Sequence, residues 1–206
     1  MIRLYLLFIL LFATASTYAQ RVMIPSTSVI DSVKSNRLKK NDIEDVNGIK
    51  MGTAKDIIEN LREVKQFSIL AKLMRSAGLI ATFKSKGPIT LFAPTNAAFN
   101  KLRRGRIDTL QKKSHNLELC ALLTYQAIPG NLKIKDLRKK IKAENGKAKI
   151  PTLSGSILTL TTDSADNIIL IDEYGNKGTI IAADLDQSNG YIHVINKVLI
   201  PKPKSI

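Results

Sequence analysis

The C-terminal segment 189–201 constrains the fold of this chain more than any other stretch. Its apolar residues fall on both strand parities: Ile192, Val194, Val198 and Ile200 on one, Tyr191, His193, Ile195 and Leu199 on the other. A strand with one face in water alternates apolar and polar residues, whereas a strand covered on both faces does not. The pattern therefore predicts a central strand over 191–200. Asn189 and Gly190 precede it as a turn pair and predict a tight entry from the preceding strand.

A second short apolar strand is predicted about a hundred residues upstream, from Ile89 to Ala93. Pro94 ends it, because proline has no N–H to donate to a sheet. Thr95 or Asn96 then caps a helix whose apolar face is Ala98, Phe99 and Leu102.

The remaining periodicity changes along the chain from helical to strand-like. Apolar residues recur at helical spacing in 57–64 and 67–77, ending at Gly78, and further short helices are predicted around 107–110 and 117–125. Beyond Lys149, strands are predicted at 157–161, 168–172, 179–183 and 191–200. Helices followed by strands predict an α+β fold with helices against a mostly antiparallel sheet.

The segments 87–99 and 189–201, in this order and at this separation, resemble the two signature segments of a fasciclin-type domain, an extracellular adhesion and ligand-binding module. The stretch 123–130 is similar to a third family landmark, with Gln126 in place of the usual histidine, and Asn196 stands where the family usually has aspartate. The resemblance covers 51–201. It implies a wedge or sandwich of short, mostly antiparallel β-strands with several short α-helices packed to one side.

The N-terminal residues predict export. An apolar run follows Arg3, and small residues precede Gln20, which is the pattern of a cleaved signal peptide over 1–19. A membrane anchor is the alternative, but the run is about half the ~20 residues that a span needs. We therefore expect a polar linker at 20–50, the domain at 51–201, a short tail at 202–206, and a secreted, extracellular or periplasmic chain without a transmembrane segment. The absence of Asn-x-Ser/Thr acceptors fits a bacterial exported protein.

An enzyme is not expected from these residues. His115 lies in a basic polar turn, and His193 lies on an apolar strand and matches a structural histidine of the family. No nucleophile elbow, phosphate loop, dinucleotide motif or zinc spacing occurs, so no cofactor or metal is expected. Cys120, the one cysteine, is interpreted as a small buried hydrophobe, with a reactive thiol as the alternative.

The resemblance implies adhesion through a protein partner at a cell surface or in a matrix. In the family, an aspartate followed by an aliphatic residue before the last signature segment is associated with receptor recognition, and Asp184 and Leu185 hold that position. An ordinary strand end is the alternative interpretation of this pair. Tyr125 and Gln126, at the third landmark, are the other candidate partner-binding residues.

Charge suggests a second function, electrostatic binding of an anionic polysaccharide or another polyanion. The formal net charge is +15, and the basic residues are clustered. One candidate cluster is Lys101, Arg103, Arg104 and Arg106, and the other is Lys133, Lys135, Arg138, Lys139, Lys140 and Lys142. Both lie between the predicted core elements, where lysines that only aid solubility are the alternative. Specific nucleic-acid binding is not expected, because no aromatic residue interleaves with the clusters. The ligand and the oligomeric state stay open.

Overall fold

The structure is a computed structural model that describes residues 43–46, 48–85 and 87–203. The predicted signal peptide, most of the predicted linker and the last three residues of the tail lie outside the described residues. The helices of the described part are α1 Ile57–Glu63, α2 Ser68–Ser76, α3 Ile80–Ser85, α4 Asn96–Asn100, α5 Arg106–Leu110, α6 Asn116–Tyr125 and α7 Ile134–Ala143. Its strands are β1 Ile43–Val46, β2 Ile49–Gly52, β3 Ile89–Pro94, β4 Ala127–Pro129, β5 Lys147–Pro151, β6 Ile157–Thr162, β7 Ile168–Ile171, β8 Lys177–Gln187 and β9 Gly190–Ile195.

Seven of these strands form one mixed sheet in the order β4-β3-β9-β8-β7-β6-β5. The two strands predicted first, β3 and β9, lie side by side and run parallel, with Leu91 opposite Ile192. The other neighbours in the sheet are antiparallel. This arrangement confirms the predicted α+β fold with a mostly antiparallel sheet.

Strand β9 is buried along its whole length, as its sequence predicts. Ile192 and Val194 contribute to a first core, which α1–α6 cover with their apolar residues. On the opposite parity, Ile195 contributes to a second core beside Phe92, together with the inward-facing residues of β5–β7. The central sheet therefore separates two apolar layers.

The helix starts follow the capping residues in the sequence. Asp56 begins α1 with a capping box, accepting a hydrogen bond from the Glu59 N–H at 2.8 Å while the Glu59 carboxylate accepts from the Asp56 N–H at 3.1 Å. Thr95 caps α4 by accepting from the Ala98 N–H at 3.2 Å. Asn96, the other predicted cap, instead accepts from the Ile69 N–H at 3.0 Å and so connects α4 to α2.

The prediction that the last strand continues to Ile200 is wrong, since β9 ends at Ile195. Beyond the Asn196 N–H, which still donates to the Thr179 carbonyl of β8, side chains replace the neighbouring strands as hydrogen-bond partners. The Asn196 side-chain oxygen accepts from the Thr179 N–H at 2.9 Å, the Gln126 side chain bonds both backbone groups of Leu199, and the Asp172 carboxylate accepts from the Ile200 N–H at 3.0 Å. Leu199 is buried, so the apolar pattern of the sequence continues although the segment is no longer a strand.

The predicted linker also ends earlier than residue 50. Strands β1 and β2 form an antiparallel hairpin, with Val46 opposite Ile49. Ile49 and Met51 are buried in the first core. The period-2 burial of β2, a strand of four residues, carries too little sequence signal to stand out from the polar composition around it.

Helix α7 was not predicted, because its sequence is dominated by lysine. Two of its residues, Leu137 and Ile141, are buried in the second core, where α7 packs on β5 and β6. The basic cluster at 133–142 is therefore the solvent face of a core helix and not a segment between core elements. None of the helices in the described ranges is long and apolar enough to span a bilayer.

Gly190, where β9 begins, is the glycine with the least room for a side chain. Its φ is +153°, and an added Cβ would lie 1.8 Å from the Ile89 backbone oxygen. We expect Gly190→Ala to lower the free energy of unfolding by about 3 kcal/mol or more, because neither backbone can move without breaking the β3–β9 pairing. Chemical denaturation measures the change.

Gly178→Ala is the matched control, since its nearest new contact would be an ordinary 3.4 Å to the Lys197 Cβ. We expect it to change the free energy of unfolding by less than about 1 kcal/mol. Equal effects of the two substitutions would contradict the proposed close approach of β3 and β9.

Candidate partner-binding sites

Asp184 interrupts β8 at a bulge, with a φ of +59° that non-glycine residues rarely adopt. Its carboxylate accepts a hydrogen bond from the Ile134 N–H at 2.7 Å, at the first residue of α7. Its own N–H donates to His193 Nδ1 at 3.1 Å. The side chain is 37% exposed, so Asp184 connects α7 to the sheet and still reaches the surface.

His193 is fully buried beside Asp184 and Phe92. Because Nδ1 accepts from the Asp184 N–H, the proton lies on Nε2, which donates to the Leu132 carbonyl at 2.9 Å. Burial lowers the pKa of His193, although the Leu132 carbonyl and the Asp184 carboxylate favour the protonated ring. The ring is therefore neutral, with both nitrogens bound to backbone groups, as in a structural histidine.

The other three predicted partner-binding residues are buried, which corrects the prediction that they contact a partner directly. Leu185, Tyr125 and Gln126 have no exposed surface. The Tyr125 hydroxyl donates to the Ile157 carbonyl at 2.8 Å, and burial raises the pKa of that hydroxyl. The Gln126 amide donates to the Leu122 and Leu199 carbonyls at 2.8 and 2.7 Å. These side chains stabilise the fold.

The first basic cluster lies near the C-terminal end of β9. Lys101 donates to the Asn196 carbonyl at 3.0 Å, and Arg106 forms an ion pair with Glu118 on α6. Arg103 and Arg104 are exposed. Two of the four cations thus have partners within the protein.

The second basic cluster lies at the other end of β9, where the Lys133 ammonium is 5.1 Å from the centre of the Tyr191 ring. Arg138 forms an ion pair with Asp166. The other members, Lys135, Lys139, Lys140 and Lys142, are exposed on α7. The two clusters thus contact the β9 segment at different ends, through Lys101 and through Lys133, and form two surfaces.

An apolar groove of about 420 Å³, which sequence reasoning missed, lies between α6, the β7–β8 turn and the C-terminal segment. Its apolar lining is Leu117, Ala121, Leu122, Ile200 and Pro201, and its polar lining includes Arg106, Glu118, Tyr174 and Lys202. Leu117 is 79% exposed and Tyr174 is 55% exposed. Large apolar side chains with this exposure at a concave site are typical of a binding surface.

Helix α6 carries the sequence signal for this groove. A surface helix has one apolar stripe, but α6 has apolar residues on all sides, including Leu117, Ala121 and Leu122. Such a helix is either buried all round or leaves an apolar face without a partner. Leu119 and Leu123 enter the core, whereas Leu117 does not.

The chain belongs to the fasciclin domain family, whose family model matches residues 65–201. It is 33% identical over 149 residues to "Protein sll1483" of Synechocystis sp., covering 72% of this chain and 75% of that protein. It is 30% identical over 154 residues to "Transforming growth factor-beta-induced protein ig-h3" of Sus scrofa, covering 73% of this chain and 20% of that protein.

A solved structure, a FAS1 domain pair from the insect cell adhesion molecule fasciclin I, has the same fold. The TM-score is 0.53 at 24% identity, over 65% of this chain and 45% of that chain. Fasciclin domains are adhesion modules of extracellular or secreted proteins, so the chain carries an adhesion-type module. In the described residues, no group of three or more His, Cys, Asp or Glu side chains is arranged to hold a metal ion.

Gln126→Leu tests the structural role of the buried amide. The substitution keeps the approximate volume but leaves the Leu199 N–H and C=O without partners in a buried place. We expect the free energy of unfolding to fall by about 3 kcal/mol, since each unpaired buried group costs about 1–3 kcal/mol. Gln111→Leu, on the partly exposed end of α5, is the control, and a similar loss there would contradict the assignment.

Because His193 is buried, we expect the stability of the fold to depend on pH. The folded-state pKa lies below the unfolded value of about 6.5, so the unfolded chain binds more protons in the interval between them. The free energy of unfolding is therefore expected to fall as pH drops below about 6.5, by up to about 1.4 kcal/mol per pH unit. Urea denaturation between about pH 5 and 7 measures the slope.

His193→Gln should flatten this slope, whereas substitution of partly exposed His115 by Gln should leave it in place. The interval avoids most of the titration of ordinary carboxylates. A slope that disappears with His115→Gln and persists with His193→Gln would contradict the assignment to the buried ring.

Proposed function

We propose that this chain is a non-enzymatic extracellular adhesion module that binds a protein partner at a cell surface or in a matrix through the apolar groove. The groove carries the proposal because it combines a concave apolar floor with Leu117, whose side chain is 79% exposed. The signal-peptide pattern at 1–19 and the family's occurrence in secreted proteins support the extracellular location.

The rim of the groove favours a protein segment as its occupant. Arg106 and Glu118 form an ion pair on one side, and the Arg106 guanidinium lowers the pKa of the Glu118 carboxyl. On the other side, the Lys202 ammonium lies 5.9 Å from the centre of the Tyr174 ring. The rim thus offers both charges and an aromatic ring. An apolar centre with a polar rim, containing tyrosine and arginine, is the composition of protein interfaces.

Charge also decides against a polyanion at this place. A polyanion prefers a surface of uniform positive charge, but the Glu118 carboxylate lines the groove. We infer that the occupant is an extended segment of a partner protein that inserts a large apolar side chain between Leu117 and Pro201. The volume of the groove, about 420 Å³, lies within the ~300–1,000 Å³ usual for ligand sites. The groove can therefore hold such a side chain.

The non-enzymatic part of the proposal is supported by the two histidines. Neither ring nitrogen of His193 is free to accept a proton from a nucleophile, because both bind backbone groups. His115 lies at the surface and pairs with Glu118. Nucleophilic catalysis needs a base next to the nucleophile, and neither histidine provides that arrangement.

Leu117→Lys tests the proposal in a bead-attachment assay. The chain is coupled to beads, and attachment to intact cells that produce it is counted before and after protease treatment of the cells. We expect Leu117→Lys to reduce attachment by at least tenfold, since a buried anchor side chain typically contributes more than ~1.4 kcal/mol. Protease treatment should reduce it similarly.

Ile181→Lys is the matched control, because Ile181 is 47% exposed on β8 and does not line the groove. Both variants should melt close to the unsubstituted chain, as both side chains are exposed. Attachment that survives protease treatment would overturn the protein partner, and attachment that Leu117→Lys leaves unchanged would overturn the groove.

A further inference from the structure

We propose that a small cavity between α2, α5 and α6 binds one carboxylated saccharide unit, a uronic acid. Its lining residues are Ser76, Gln111, Lys112, Lys113, Asn116 and Leu119, and we call this cavity the polar pocket. It shares no lining residue with the apolar groove. The proposal therefore goes beyond the proposed function, and neither depends on the other.

The connection from α5 to α6 forms most of the polar pocket. Leu110 at the end of α5 and Leu119 in α6 are buried in the first core. Between them the chain makes a 3₁₀ turn, Lys113–His115, which begins with a 2.9 Å hydrogen bond from the His115 N–H to the Lys112 carbonyl. The segment that lines the pocket is therefore held at both ends by the core.

The polar pocket has a size that suits one sugar unit. Its volume is about 270 Å³, just below the ~300–1,000 Å³ usual for sites that hold drug-sized ligands. Lys112 and Lys113 are exposed, so the pocket is open to solvent. One unit of a saccharide chain can therefore lie in the pocket while its neighbours extend into solvent.

The polar side chains of the pocket are available to a ligand. Within the described residues, four of them make no side-chain hydrogen bond or ion pair: Gln111, Lys112, Lys113 and Asn116. The Ser76 hydroxyl donates to the Lys72 carbonyl at 3.1 Å, which leaves the lone pairs of its oxygen to accept. The pocket thus offers two ammonium groups, two amides and one hydroxyl oxygen.

Among the described residues, no carboxylate lines the polar pocket. Glu118 of α6 binds Arg106 and His115 and lines the apolar groove instead. Asp108 of α5 is not part of the lining either. The charge of the two lysines is therefore not compensated inside the pocket, and it favours an anionic ligand.

The mixture of lining groups favours a carboxylated sugar over a simple anion. Ammonium groups bind a carboxylate through charge-assisted hydrogen bonds. The amides of Gln111 and Asn116 each donate and accept, which matches sugar hydroxyls that also do both. Buried Leu119 adds an apolar contact for the C–H groups of a sugar ring. The lining contains no aromatic ring on which a nucleobase would stack.

Galacturonate, galactose and acetate test the proposal as probes of the full chain. They carry the sugar with its carboxylate, the sugar alone and the carboxylate alone. In titrations followed by ¹H–¹⁵N spectra, we expect a Kd for galacturonate at least about tenfold lower than for the other two, because only galacturonate engages both kinds of group. The amide shifts should concentrate at 110–119. Undetectable binding of galacturonate, equal affinities for the three probes, or shifts outside the pocket would each overturn the proposal.

Lys112→Gln combined with Lys113→Gln should raise the Kd for galacturonate at least about tenfold, since both cations are lost. Lys139→Gln combined with Lys140→Gln on α7 is the matched control, because it makes the same change in net charge at two adjacent exposed lysines. We expect it to raise the Kd by less than about twofold, since charges outside the pocket are screened by salt. Equal losses in the two double variants would overturn the site.

Gln111→Leu distinguishes a saccharide from a simple anion. It removes an amide and no charge, so it should raise the Kd for galacturonate about fivefold and leave the Kd for inorganic phosphate unchanged. Phosphate that binds the unsubstituted chain as tightly as galacturonate would assign the pocket to small anions and overturn the saccharide. A far-ultraviolet spectrum and a melting curve of each variant confirm that it is folded.

Discussion

The parallel pairing of β3 with β9 is the contact on which the other parts of the structure depend. It joins segments about a hundred residues apart, from Ile89 opposite Gly190 to Pro94 opposite Ile195. The parity of the side chains on these two strands divides the interior into two cores, with helices α1–α6 on one and α7 on the other. Such a distant pairing is entropically costly to form. At Gly190 the two backbones lie so close together that the pairing leaves no room for a side chain.

Beyond the end of β9, side-chain amides supply hydrogen bonds that hold the chain in place. Asn196 supplies an acceptor to Thr179, and Gln126 supplies a donor and an acceptor to Leu199. By the resemblance, the family usually has other residues at these two positions, and here each amide makes its hydrogen bonds without carrying a charge. An amide provides that at no cost of burying an ion. The departures therefore preserve the fold, and they remove titratable groups from it.

The sequence predicts those elements whose buried positions are occupied by apolar residues in a regular pattern. Apolar residues on both parities identify β9, and the Thr95 cap with Phe99 behind it identifies α4. The end of β9 was mispredicted, because Leu199 stays buried through side-chain bonds that no periodicity reveals. Helix α7 was missed because two buried residues were outnumbered by lysines. The apolar groove was missed because exposure of Leu117 depends on which elements fail to cover α6, and that is a property of the assembled fold.

Strand β9 holds surface elements in place near each of its two ends. Helix α7 is positioned through Asp184, whose carboxylate accepts from the first residue of α7 and whose N–H donates to His193 of β9. The groove is positioned through Ile200, which Asp172 holds just beyond the end of the strand. Because these connections are hydrogen bonds from backbone N–H groups to buried or half-buried side chains, they fix both α7 and the C-terminal wall of the groove relative to the sheet.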